Sequence, residues 1–147
     1  MRSRRIPLAC TWLLLASLAL GCSIIVRPTV APLAGTSWSL QAFGDRGAPT
    51  PVIQGTRVTA AFGQEGRVSG VAGCNSYFGE FKVAGKKLSI SALGATKMYC
   101  TSPEGVMPQE AAFLDAMARA ESFDMQGTEL RVPYDGGRQA LVFARAE

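Results

Sequence analysis

The sequence predicts a mainly β fold: a small antiparallel, barrel-like meander of about eight strands, with one α-helix near residues 109–121. Three observations carry that expectation. Apolar residues recur at every second position along most of the chain, the period of a half-buried strand. Short segments rich in glycine and charged residues separate these runs at hairpin spacing. A single alanine-rich segment breaks the alternation and takes a helical period instead.

The beginning of the chain stands outside this pattern. Arg2, Arg4 and Arg5 form a basic start, an apolar run from Leu8 to Leu20 follows, and Gly21-Cys22 closes it. A basic start, a short apolar stretch and small residues at its end mark a secretory signal over residues 1–21. The run is shorter than the about 20 apolar residues needed to span a bilayer. Leu18-Ala19-Leu20-Gly21-Cys22 resembles a bacterial lipoprotein box, in which the cysteine is lipidated and becomes the first residue of the mature chain. Cys10 is a poor rival, because almost no apolar segment precedes it. The lipid on Cys22 is therefore expected to hold the protein to a membrane. Residues 22–32 contain Pro28 and Pro32 without a clear period and read as a tether. Ser23 stands where an aspartate would favour inner-membrane retention, which points to the outer membrane, facing the periplasm.

One domain is expected over residues 33–147. Trp38, Leu40 and Ala42 share the face of a first strand, and Val58, Ala60 and Phe62 repeat the alternation. Tyr77, Gly79, Phe81 and Val83 form a third face, with Phe78, Glu80 and Lys82 opposite. Leu88, Ile90 and Ala92 make a fourth. Leu130 and Val132, then Leu141 and Phe143, complete the series. The segments 63–66, 84–87, 126–128 and 135–138 supply residues that turn tightly. The inward set of Trp38, Phe62, Tyr77, Phe81 and Phe143 would fill a barrel of this size, leaving no enclosed apolar cavity of ~300 Å³ or more. Between the strands, residues 109–121 place Phe113, Leu114 and Met117 at helical spacing. Pro108 is suited to open that helix, and Asp115 and Arg119 lie one turn apart on its wet side.

Charge and cysteine content narrow the function. Of 15 basic and 11 acidic residues, three basic ones lie in the signal, so the net charge falls from +4 to +1 on maturation. A nearly neutral domain gives no reason to expect nucleic acid as a partner. Of the four cysteines, Cys10 leaves with the signal and Cys22 carries lipid, so Cys74 and Cys100 remain. In an exported protein such a pair is most simply a disulfide, and closing that loop should stabilise by roughly 3 kcal/mol. The chain contains no histidine, so Cys-His and Ser-His-Asp nucleophile systems are excluded. Two cysteines alone make no structural zinc site. The P-loop, the dinucleotide fingerprint and the Gly-x-Ser-x-Gly elbow are absent. Glu80, Asp124 and Asp135 are the remaining carboxylate candidates. Glu80 should face water on its strand and Asp135 suits a turn, so no catalytic residue, metal or cofactor is expected. Lys82, Lys86 and Lys87 cluster at a hairpin tip and read as a solvated turn.

Residues 70–100 carry a resemblance. Gly70-Val71-Ala72-Gly73-Cys74-Asn75-Ser76-Tyr77-Phe78-Gly79 resembles the Gly-x-x-Gly-Cys-Asn-x-aromatic-x-Gly signature of the META domain, the HslJ-like heat-shock lipoprotein family. Thr96-Lys97-Met98-Tyr99-Cys100 is similar to its second motif. Leu33-Ala34-Gly35-Thr36-Ser37-Trp38, Glu110-Ala111-Ala112-Phe113-Leu114 and Leu141-Val142-Phe143 follow the family's order. The resemblance implies a small antiparallel β-barrel with a helix, frequent export or lipid anchoring, and links to heat shock, novobiocin resistance and, in some eukaryotic parasites, virulence. It implies no enzymatic activity. Gly70, Gly73, Cys74, Asn75, Gly79, Thr96, Lys97 and Cys100 are the family-motif residues. The expectation is a non-enzymatic, lipid-anchored envelope protein supporting stress or antibiotic tolerance through other envelope proteins. The alternative is a small barrel that carries a ligand or inhibits a periplasmic enzyme.

Overall fold

Alternating side chains put one apolar face on each strand, and burying that face requires the sheet to curl on itself. The computed structural model describes residues 33–146. The expected signal 1–21, the expected lipidation site Cys22 and the expected tether 22–32 lie outside the described residues. The elements are β1 (Thr36–Asp45), β2 (Thr50–Pro51), β3 (Thr59–Phe62), β4 (Arg67–Val71), β5 (Ser76–Ala84), β6 (Lys87–Ala95), α1 (Val106–Ala118), β7 (Asp124–Gln126), β8 (Glu129–Tyr134) and β9 (Gln139–Arg145).

All nine strands belong to one antiparallel sheet, in the order β6-β5-β4-β3-β1-β9-β8-β7, with β2 added beside β1. The chain starts in the middle of its own sheet. It builds outward on one side through β3 to β6, crosses with α1, and returns through β7 and β8 to lay β9 against β1. The sheet curls into a half-barrel whose two edges meet at one end. Lys87 bridges Ser122, Leu88 N–H donates to the Glu121 carbonyl at 3.1 Å, and Phe123 N–H donates to the Lys86 carbonyl at 3.0 Å. The helix packs on β6 and β9. It inserts Phe113 between Tyr77 and Phe143, edge to face, with ring centroids 5.5 and 6.5 Å away.

The inward set lies where the alternation puts it. Trp38, Phe62, Tyr77, Phe81 and Phe143 are all buried, together with Leu130, Val132 and Leu141. Phe62 and Phe81 meet edge to face at 5.1 Å. The clefts of several hundred Å³ are open grooves on the outer surface, while Trp38, Tyr77, Phe62, Phe113 and Phe143 occupy the interior.

Four features depart from the alternation. β2, β4 and β7 are strands that it does not mark: β2 and β7 have two and three residues, and β4 (RVSGV) ends in small residues that weaken its pattern. In β1 the pairing with β9 shifts between Leu40 and Ala42, so Ala42 is half-buried instead of continuing the Trp38 face. In β6, Ala92 is exposed and not on the face of Leu88 and Ile90. A bulge shifts the register there, between Phe78 and Glu80 on the partner strand. Finally, the helix runs Val106–Ala118, three residues earlier than the expected 109–121. Proline is tolerated anywhere in a first turn, where N–H groups lack helical partners, so Pro108 sits inside the first turn and does not mark its start. The helix stops early because the sheet takes the following residues: Ala120 bridges Tyr134, and Glu121 N–H donates to the Pro133 carbonyl.

Candidate functional site

Residues 72–75 connect β4 to β5 in a turn closed by the Ala72 N–H donating to the Asn75 carbonyl at 2.8 Å. Gly73 holds φ 119° there, a backbone region that side chains disfavour. Gly70 acts differently, inside β4: a Cβ at that position would stand 2.1 Å from the Thr59 carbonyl oxygen. Only a glycine lets β4 approach β3 so closely. The turn thus delivers Cys74 and Asn75 to the end of the half-barrel, beside the segment that follows β6.

Cys74 and Cys100 are joined by a disulfide, with their Cα atoms 5.9 Å apart. Next to it, the buried Asn75 side chain spans from the first motif to the second. Its Oδ1 accepts from Thr96 Oγ1 and from Met98 N–H, both at 2.7 Å. Its Nδ2 donates to the Met98 carbonyl at 3.0 Å and to Glu110 Oε1 at 2.7 Å. Two donors and two acceptor sites are the whole capacity of an amide, so Asn75 is fully satisfied. Its side chain therefore clasps the second motif and does not cap its own bend.

The cap comes from α1. Glu110, only 5% exposed, accepts at Oε2 from Cys74 N–H (3.0 Å) and Asn75 N–H (2.7 Å), and at Oε1 from Asn75 Nδ2. A buried carboxylate needs such donors to offset its lost hydration. Gln109, equally buried, accepts from Ile53 N–H at 2.6 Å and donates from Nε2 to Thr56 Oγ1 at 3.0 Å. One helical turn thereby ties down the cysteine loop and the loop between β2 and β3. Met107 Sδ receives the Cys100 N–H at 3.5 Å.

Of the family-motif residues, the fold brings Gly73, Cys74, Asn75, Thr96 and Cys100 together. Gly70 serves the β3–β4 contact, and Gly79 lies on β5 opposite the β6 bulge, where a Cβ would stand 2.8 Å from Leu93 Cδ2. Lys97 is exposed. Sequence reasoning missed Gln109, and it marked Glu110 only as part of the helical motif, with no part in the site. Their signal was present: both lie three or four residues before Phe113, on the buried stripe of the helix. A polar pair on an apolar stripe announces a buried network. The carboxylate candidates are scattered. Glu80 is exposed on β5, Asp124 pairs with Lys86 at 3.4 Å, and Asp135 pairs with Arg138 at 2.9 Å in the β8–β9 turn. Asp124 titrates below the usual carboxylate range because Gln126, and then Lys86, donate to it. Among the described residues, no group of three or more cysteine and acidic side chains is placed to hold a metal ion.

The glycine turn, its disulfide and its asparagine clasp bear the signature read from the sequence, and the sequence profile of the META domain matches residues 31–147. The chain belongs to the META domain family. This META domain is similar in structure to a protein from Burkholderia xenovorans studied by NMR, with a TM-score of 0.65 and 29% identity over 78% of this chain and 83% of that one. It also shares its fold with a DUF4847 family protein from Bacteroides vulgatus, with a TM-score of 0.56 and 15% identity over 77% and 94% of the two chains. No curated protein sequence matches it. In this META domain the signature's polar groups face one another across the join of β4, β5, β6 and α1. The second motif carries Met98 and Tyr99, which are 56% and 81% exposed.

Proposed function

We propose that this META domain is a non-enzymatic, lipid-anchored binding module of the bacterial envelope that supports stress or antibiotic tolerance. One observation carries the reading: the chemistry-bearing atoms of the signature are spent on one another. The sulfurs of Cys74 and Cys100 are bonded together, Asn75 uses its full hydrogen-bonding capacity, and the Glu110 carboxylate accepts three N–H groups. What the clamp leaves outside is the exposed run Lys97, Met98 and Tyr99, held in place from both sides by Asn75 and the disulfide. An ordered apolar surface of this kind suits contact with another envelope protein. The anchor on Cys22 would keep that surface at the membrane.

Three experiments on cells test this. Replacing Cys22→Ala should release the protein from membranes, and loss of the protein should sensitise cells to heat or novobiocin. A photo-crosslinking residue at position 99 should capture a defined envelope protein. Membrane attachment that survives Cys22→Ala, together with unchanged tolerance in its absence, would refute the proposal.

A further inference from the structure

The outer face of β4 and β5 carries a groove that the signature does not use. It has a volume of about 420 Å³, with Arg67, Ser69, Phe78, Glu80 and Ala92 among its walls. That is within the range of small-molecule sites, roughly 300–1,000 Å³.

The local construction serves one side chain. Phe78 is 65% exposed on a strand, and the far end of its ring rests on Gly94 of the neighbouring strand. A Cβ at Gly94 would stand 2.7 Å from Phe78 Cζ and 3.1 Å from Cε2, so glycine is what allows the ring to lie down on the sheet. Beside it, β6 bulges. Phe78 pairs with Gly94 and Glu80 with Ser91, so Gly79 faces both Ala92 and Leu93. Ala92 adopts φ 52°, a left-handed conformation that an alanine disfavours. Strain of this kind persists where a surface shape is maintained for use.

The polar walls specify what could lie on the ring. Arg67 and Glu80 are direct cross-strand partners, as are Ser69 and Phe78. Neither Arg67 nor Glu80 takes part in an ion pair of the described residues. The groove thus offers a flat aromatic plate, one charged donor, one charged acceptor and a hydroxyl, with no net charge. An anion would meet Glu80, a cation would meet Arg67, and a purely apolar ligand would strip water from both. A ring with an apolar face and hydroxyls around its edge satisfies all four groups. Its C–H face would lie against the electron-rich face of Phe78, while its hydroxyls donate to Glu80 and accept from Arg67. We propose that this groove binds a neutral pyranose glycan, with Phe78 as the stacking plate.

Titration of the ¹⁵N-labelled full chain in detergent with the trimers of N-acetylglucosamine and of glucose tests this. Either sugar at millimolar concentration should shift the amide signals of Ser69, Phe78, Gly79, Glu80, Ala92 and Gly94 and leave β8 and β9 unmoved. Phe78→Ala should weaken that binding about tenfold, and Arg67→Ala or Glu80→Gln by a similar factor, the cost of one stacked ring or one charge-assisted hydrogen bond. Phe78→Trp should retain binding. The dispersed spectrum of each variant reports its folding separately. Absence of shifts at these residues with both sugars, or an undiminished affinity in a folded Phe78→Ala variant, overturns the proposal. So does a response to a proline-rich peptide and not to sugar, which would assign the groove to protein recognition.

Discussion

Glu110 concentrates much of the stability of the signature in one carboxylate. It is buried, and it accepts two backbone N–H groups and the Asn75 amide. In Glu110→Gln, an amide NH₂ must face a donor whichever way it is turned. We expect a loss of roughly 2–4 kcal/mol, read as a lower urea midpoint at unchanged slope. Tyr77 shows the same principle with a titrating group. Its hydroxyl donates to the Thr59 carbonyl at 2.8 Å, and burial pushes its pKa upward. Its contribution is therefore complete below the unfolded value of about 10 and is lost as pH rises above that. Tyr77→Phe should cost about 1 kcal/mol at neutral pH and flatten the alkaline limb of a stability–pH curve. At this scale the sequence disclosed which residues form the signature but not how they engage. Asn75 was legible as a motif residue. Its actual partners, Thr96 and Met98, follow β5 and β6 in the chain and reach it only through the hairpin's register.

At the scale of elements, periodicity located the long strands and the helix, and it failed where the backbone inserts a residue. The bulges in β1 and β6 each shift the inward face by one position. They explain why Ala42 and Ala92 leave the faces on which a strict period of two places them. Nothing in an isolated alanine announces a left-handed φ. Ala92→Gly should therefore stabilise the protein by about 1 kcal/mol, checked by thermal unfolding. Gly70→Ala should do the opposite. Its Cβ would collide with the Thr59 carbonyl, prying β3 from β4 at a cost of at least ~2 kcal/mol, seen as a lowered melting temperature and faster amide exchange in β3. The helix boundaries were misjudged for an equally physical reason. Sheet pairing at Ala120 and Glu121 overrides the continuing helical propensity of the sequence.

Across the molecule, the crosslink and the clamp are two ties on one junction. Cys74 and Cys100 lie 26 residues apart, a span that contains the β5–β6 hairpin. A thiol-reactive probe should label neither Cys74 nor Cys100 of the folded domain until a reductant is added. The double Cys→Ser variant should lose roughly 3 kcal/mol while Asn75 and Glu110 continue to hold the turn, so it should still unfold cooperatively. The fold class was legible from the whole sequence because alternation and turn chemistry agreed over many strands. The meeting of β6 with residues 121–123 was not, since it joins segments whose proximity only the curl of the sheet creates.

The pairing of β1 with β9 has a consequence for how the domain is handled. Arg145 lies beside Trp38, and the Ala146 N–H donates to the Ser37 carbonyl at 2.9 Å. Entry and exit of the folded domain are neighbours at one end of a central ladder. Joining them by a short linker and opening the chain at the exposed Gly136 of the β8–β9 turn would leave every ladder of the sheet intact. The architecture is therefore a closed circuit of strands, and the point at which the polypeptide enters it is a matter of convenience and not of structure.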